Sequence, residues 1–285
     1  MARKRTIVGL GEALLAEYPD REEPAGLALL IPRYAVLLGH VGIAISRLGQ
    51  DPAAQELIAQ LRVLGVDVTH LQSDPDLATG RRLVRSMGAE TFHSLDSEAA
   101  FDNLQWDFDL ADVAQQTDAV VYGALARRTG QARSVSDRFL AECKFALRVF
   151  DLTNRPDDQL DRSRAMSGLK YANTLVVDDF ARSVLLPGGV DQPQREAAVE
   201  LLGLGNLTMV VIAQPGEPMV VHSAESSWSG RAHRPEAHEA SIVALLHGVL
   251  AGWDMQAAVG LADRLAGHIL KHPGEPPPQE LLRQC

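Results

Sequence analysis

Cysteine, aromatic residues, surplus positive charge and long apolar runs are all scarce in this chain, and each scarcity removes a class of protein. Only Cys143 and Cys285 occur among 285 residues, too few and too far apart for a disulfide framework, so a reducing, cytoplasmic setting is expected. The longest apolar stretches, such as Ile242 to Leu250, fall short of the roughly 20 residues a membrane-spanning helix needs, and no membrane partner is expected. Met1 to Arg5 is basic but runs straight into the strand-like Thr6-Ile7-Val8-Gly9, without the longer apolar core of a secretory signal. A net charge of -10 works against attraction to a phosphate backbone, which excludes nucleic acid as a partner. An acidic chain can still hold a nucleotide locally, where backbone N–H groups converge. No internal repeat and no low-complexity segment interrupts the sequence.

What is present alternates strand and helix patterns. Thr6 to Gly11 reads as a buried strand, and Leu14 to Tyr18 continues it up to the turn at Pro19-Asp20. Val41 to Leu48 carries apolar residues at helical spacing, and Ala53 to Leu64 repeats the pattern with Leu57, Ile58, Leu61 and Leu64 on one face. Gly65 to Val68 reads as a strand start, and Arg82-Leu83-Val84 with Thr91-Phe92-His93 as a hairpin around Met87-Gly88. Asp118–Gly123, a helix from about Ser134 to Lys144 and Leu147–Leu152 form a βαβ unit. Asn173–Val177 and Thr208–Ile212 repeat the strand theme with a helix, Gln194 to Leu202, between them. Ser241 to Ala251 and Met255 to Leu270 close the chain as helices, the second capped by Asp254. The pattern predicts an α/β fold with a parallel sheet covered on both faces.

Ordered fragments then point further. Ile7 to Leu14, Ile45-Ser46-Arg47-Leu48-Gly49-Gln50-Asp51, Leu61 to Asp67, Thr79-Gly80, Phe101 to Trp106, Tyr122 to Arg128, Phe150-Asp151 with Arg155, and His247-Gly248 through Asp254 follow one another along nearly the whole chain. In that order they resemble the PfkB (ribokinase-like) family of carbohydrate kinases, above all its fructokinase-like branch. The resemblance implies one ribokinase-like domain over 1–285: a three-layer α/β/α sandwich with a mostly parallel central sheet. Small β lid strands are expected within about 12–40 and 79–107. It also implies ATP and magnesium as cofactors, a sugar as substrate, and phosphoryl transfer from ATP to a sugar hydroxyl.

The family's D-T-x-G-A-G-D motif places a catalytic aspartate at a helix start whose glycine-rich N-terminus cradles the transferring phosphoryl group. Glycine lets the backbone approach, and free N–H groups with the helix dipole stabilise the developing charge. Here the equivalent stretch is His233 to Glu239. Glu236, Ala237 and His238 take the anion-hole positions, with a carboxylate and a ring in place of the two glycines. Glu239 replaces the aspartate, one methylene longer. It has two readings, a base or a carboxylate complementing the helix dipole. The adjacent His233, His238 and Glu239 match no metal-ligand spacing, and no metal site is expected.

On the sugar side, the family's G-G-A-x-x-N maps to Ala35 through His40, so that Ala35, Val36 and His40 replace the paired glycines and the hydroxyl-binding asparagine. An aspartate expected in the opening strand falls at Ala16. His40 is either a ligand contact or a satisfied structural histidine. Arg128 and Arg155 are candidates to meet a phosphate, or ordinary exposed charges. On the nucleotide side N-x-x-E maps to Asp178 through Ala181, and the phosphate-contacting turn to Ala213, Gln214, Pro215, Gly216, Glu217 and Pro218, where two prolines remove N–H donors. Asp178 is a water-mediated metal contact or a solvated strand-end carboxylate. These changes predict a non-catalytic or barely catalytic homologue that binds a small molecule or a protein partner. The competing readings are an active carbohydrate or nucleoside kinase using Glu239 as base, and a structural or regulatory dimer that pairs through its lid strands.

Overall fold

A computed structural model describes residues 3–87, 90–153, 160–186, 188, 192–273 and 275–283. The strands are β1 (Thr6–Leu10), β2 (Leu14–Glu17), β3 (Glu22–Ala25), β4 (Val41–Gly49), β5 (Leu71–Asp74), β6 (Gly80–Met87), β7 (Glu90–Leu95), β8 (Ala119–Gly123), β9 (Leu147–Asp151), β10 (Thr174–Val177), β11 (Met209–Ile212), β12 (Pro218–His222) and β13 (Ser227–Ala232). The helices are α1 (Leu27–Leu37), α2 (Pro52–Val63), α3 (Phe108–Gln116), α4 (Gly130–Glu142), α5 (Arg162–Leu169), α6 (Asp179–Leu185), α7 (Gln194–Leu202), α8 (His238–Leu250) and α9 (Met255–Lys271).

Nine strands form one sheet in the order β13-β12-β11-β10-β9-β8-β1-β4-β5. From β11 to β5 every pairing is parallel, and β12 and β13 add an antiparallel edge. The central strands are buried on both faces, which is why they read as unbroken apolar runs and not as alternation. One face packs Leu10, Tyr122 and Phe150 beneath α3 to α7. The other packs Ile7, Val121 and Val211 beneath α1, α8 and α9. This is the ribokinase-like α/β/α arrangement. A second sheet of four strands, β3-β2-β6-β7, stands apart from it.

Local chemistry sets several boundaries. Asp51, Asp107, Asp161, Asp178 and Asp254 each accept a hydrogen bond from the N–H three residues on, at the starts of α2, α3, α5, α6 and α9. Each such cap is worth about 1 kcal/mol. Close packing of α1 on the sheet depends on two glycines: a Cβ at Gly9 would lie 2.3 Å from the Leu27 carbonyl oxygen, and one at Gly42 2.2 Å from that of Pro32.

One expected element is overturned. Val41 to Leu48, read as a helix from its spacing, is strand β4, paired with β1 on one side and β5 on the other. Ile43, Ala44 and Ile45 are all buried, and consecutive apolar residues buried on both faces of a sheet, with Leu48 three beyond, also fit helical spacing. The helix of this region is α1, upstream. The segment 65–68 contributes only a single bridge, Asp67 to Ile43, and the strand itself starts at Leu71. The hairpin of β6 and β7 pairs Val84 with His93 and Arg85 with Phe92; Gly88 in its turn lies outside the described residues.

Candidate functional site

A cleft of about 1240 Å3 opens between the four-stranded sheet and the C-terminal ends of the parallel strands, the edge at which open α/β sheets place their ligands. Its floor is built where α8 starts, by Thr153, His233, His238 and Glu239, with Asp151 buried beneath them. β9 ends in Asp151, and Thr153 follows it. His233 follows β13, and α8 itself starts with His238 and Glu239.

His238 is the hub. Its Nε2 lies 2.6 Å from Asp151 Oδ2 and 3.0 Å from Thr153 Oγ1, while its Nδ1 lies 3.2 Å from His233 Nε2. The Thr153 hydroxyl donates to the other Asp151 oxygen at 2.8 Å. Burial opposes charge on His238, but Asp151 outweighs it and lifts the imidazole to about 9. Asp151, opposed by its own burial, is held below the usual carboxylate range by the same contact. His233 is the reverse case: burial, then the neighbouring His238 charge, press it down to about 4. The proton count is therefore a charged His238 between an ionised Asp151 and a neutral His233 that accepts at Nε2.

Two further carboxyl groups sit deep beside this network. Burial pushes Glu12, which follows β1, up to about 7, against the hydrogen bond its Oε1 accepts from Leu27 N at 3.0 Å. Glu239 is also raised by burial, with His238 and Arg82 opposing. Burial drives the Tyr34 hydroxyl up to about 12, so it remains a donor.

The backbone at the start of α8 is committed internally. Ala237 N–H donates to Arg234 O and His238 N–H to Pro235 O, closing a 3-10 turn. The turn after β11 is similar: Gly216 N–H donates to His233 O at 3.0 Å and Glu217 N–H to Gln214 O at 3.1 Å. A triphosphate needs such amides unpaired. The residues present do not fit the phosphate cradle that the family motif describes.

Of the residues singled out in the sequence, Ala16, Asp178, Ala213, Glu236, His238 and Glu239 line the cleft. Ala237 is buried behind it. Asp178 caps α6 through Ala181 N, and Gln214 accepts from Asp179 N. The sugar-side assignment moves. Ala35 and Val36 pack into the two cores flanking α1. His40 lies at the far end of the sheet, 2.9 Å from His247 Nδ1 and accepting from Arg5 N. The face of α1 that meets the cleft is Leu30, Arg33, Tyr34 and Leu37. Arg128 is not an exposed charge but a buried partner of Asp102, stacked 4.6 Å from Phe101. Arg155 lies outside the described residues. Sequence reasoning missed Glu12, Arg33, Tyr34, Arg82 and Thr153. The signal for Arg82 was its place two residues from Gly80 and Val84 on one strand face.

Neither a family model nor a curated protein matches the chain by sequence. Solved structures do match it by shape. The 2-dehydro-3-deoxygluconokinase of Thermotoga maritima aligns at a TM-score of 0.79, with 16% identity, over 95% of each chain. A fructokinase from Vibrio cholerae O395, in a form with fructose, ADP and calcium ion bound, aligns at 0.76 with 17% identity, over 93% of this chain and 92% of that one. An uncharacterized sugar kinase from Pyrococcus horikoshii in complex with ATP aligns at 0.74 with 18% identity, over 94% and 93%. The chain has the fold of PfkB-family sugar kinases. Among the described residues no helix is long and apolar enough to cross a membrane.

Proposed function

We propose that this protein uses the sugar-kinase fold as a binding scaffold: its cleft takes a small polar molecule, and it transfers phosphoryl groups from ATP slowly or not at all. The observation that carries this reading is the internal commitment of the Ala237 and His238 amides. Preorganised N–H donors that stabilise developing charge usually supply more of the rate in such catalysis than any other device, and losing one donor costs about 100- to 1000-fold. The imidazolium of His238, fixed by Asp151, stands where backbone should meet phosphate. The four-stranded sheet acts as the lid of the cleft, and the protein works in the cytoplasm.

The second reading, an active carbohydrate or nucleoside kinase, is favoured by one observation: Glu239 is buried at the cleft with its pKa raised, as a general base requires. ATP with magnesium separates the two. Under our reading neither raises the melting temperature, because only binding to the folded state does so. Turnover of order 1 per second with any sugar refutes it, and loss of that turnover in Glu239→Gln would assign Glu239 as the base. A dimer paired through β3 or β7 is a third arrangement, and a monomer in sedimentation at micromolar concentration rules it out.

A further inference from the structure

We infer that Asp151, His238 and His233 form a proton relay that ends in the cleft, where the Nδ1–H of His233 is the donor that meets an acceptor oxygen of an uncharged ligand. The inference rests on reading the cleft as a ligand site. Thr153 spends its hydroxyl hydrogen on Asp151 Oδ1, so both partners of His238 Nε2, Asp151 Oδ2 and Thr153 Oγ1, can only accept. That nitrogen therefore carries hydrogen. The 3.2 Å contact between His238 Nδ1 and His233 Nε2 holds one further hydrogen, which lies on His238 when that ring is charged and on His233 when it is neutral. In the first state His233, itself neutral, keeps its own hydrogen on Nδ1; in the second, Nδ1 is bare. His233 is only 5% exposed and lines the cleft. Its Nδ1 has no partner among the described residues and still reaches the cleft, in contrast to His222 Nε2, which is buried and unpaired. The backbone of His233 is pinned on both sides, accepting from Gly216 N–H and donating to the Glu217 carbonyl.

The surrounding charges favour the first state. Burial opposes charge on His238, but Asp151 on β9, then Glu239 beside it and Asp178 ahead of α6, lift it to about 9. Glu12 faces Asp151 from the end of β1, and Arg82 on β6 tempers both Glu12 and Glu239. Burial and then His238 hold His233 down to about 4; Arg234 and Glu236 flank it as exposed charges. Among the described residues six carboxyl groups and three arginines line the cleft, a surplus of acid that disfavours an anionic ligand. The transfer itself balances. His233 passes its Nδ1 proton to the ligand oxygen as His238 passes its own Nδ1 proton to His233 Nε2, both rings end neutral, and the positive charge leaves with the ligand. His233 is the contact; His238 and Asp151 are positioning residues.

The test is long-range 1H–15N spectroscopy of the histidine rings in the full chain between pH 5 and 10. At pH 7 His233 should show hydrogen on Nδ1 and none on Nε2, and His238 hydrogen on both. As pH passes about 9, His238 should lose its charge and His233 should move its hydrogen to Nε2 in the same step. Asp151→Asn should bring that step to lower pH. A second arm adds D-fructose, D-ribose and myo-inositol, followed by calorimetry and by the same ring signals. At least one is expected to bind with a Kd of about 10 mM or tighter and to shift the His233 Nδ1 signal, and His233→Phe should weaken it about tenfold or more. If that variant does not fold, the ring signals of the unaltered chain decide. Hydrogen on His233 Nε2 at pH 7, a His233 step apart from that of His238, binding that leaves the His233 signals unmoved, or binding by none of the three would each overturn the inference. ATP turnover with a sugar would instead strike at the proposed function, and the tautomer readings involve neither ATP nor ligand, so the two failures are separable.

Discussion

Replacing Asp151 with asparagine tests the charge assignment at the centre of the cleft. The side chain is nearly isosteric, so packing is kept and only the charge facing His238 is removed. His238 rises from an ordinary 6.5 to about 9 in the folded state, Asp151 prevailing over burial. At about 1.4 kcal/mol per pH unit, that rise corresponds to about 3 kcal/mol of stability. Because the folded value is the higher one, the contribution is complete below pH 6.5 and is lost as pH climbs through 9. Leaving one member of a buried pair unmatched costs about 3–5 kcal/mol in other proteins, which agrees with this figure. Urea denaturation between pH 6 and 10 is the assay. Near pH 6.5 the variant should unfold about 1 M urea earlier, for a slope of about 3 kcal/mol per M, and its stability should fall less between pH 6.5 and 9 than that of the parent. A loss below about 1 kcal/mol with an unaltered pH slope would refute the ion pair and the proton assignment built on it.

At the opposite end of the sheet, burial, His247 and Arg5 together hold His40 down to about 4, with only Asp118 opposing. Its contribution is present above pH 6.5 and lost as pH falls through 4, so His40→Gln should flatten the acid limb of the stability profile measured by denaturation. Arg128→Ala should cost about 3 kcal/mol or more, because it strands Asp102 where both side chains are only 6% exposed. Gly42→Ala should lower stability by about 1–3 kcal/mol, since its methyl would press on the Pro32 carbonyl. Phe145→Ser, at a fully exposed ring, should leave the denaturation midpoint unchanged within about 0.5 kcal/mol.

The sheet was readable wherever burial on both faces met a short run. Asp118–Gly123, Leu147–Leu152 and Thr208–Ile212 match β8, β9 and β11 closely, and Gln194–Leu202 coincides with α7. The same signal failed at Val41–Leu48, because the apolar run Ile43-Ala44-Ile45 followed by Leu48 satisfies helical and extended templates alike. α5 and α6 carry no apolar stripe strong enough to stand out in sequence. At the cleft, residues next to one another in the chain were found: His233, Glu236, His238 and Glu239 all line it. What stayed hidden were partners brought in from far away, Glu12, Arg33 and Arg82. Their role depends on strand register and on which face of α1 meets the cleft, and neither can be read until β4 is placed.

The 3-10 turn ahead of α8 bears on reversibility. Because Pro235 fixes one of its dihedrals and the turn itself takes up the Ala237 and His238 amides, His238→Gly would clear space yet free no donor. Removing that imidazole would also strand Asp151, so the substitution lowers stability without opening the turn. On the function proposed above, no single substitution at this helix start opens a free-amide cradle, because space, donors and the charge balance of Asp151 would all have to change together.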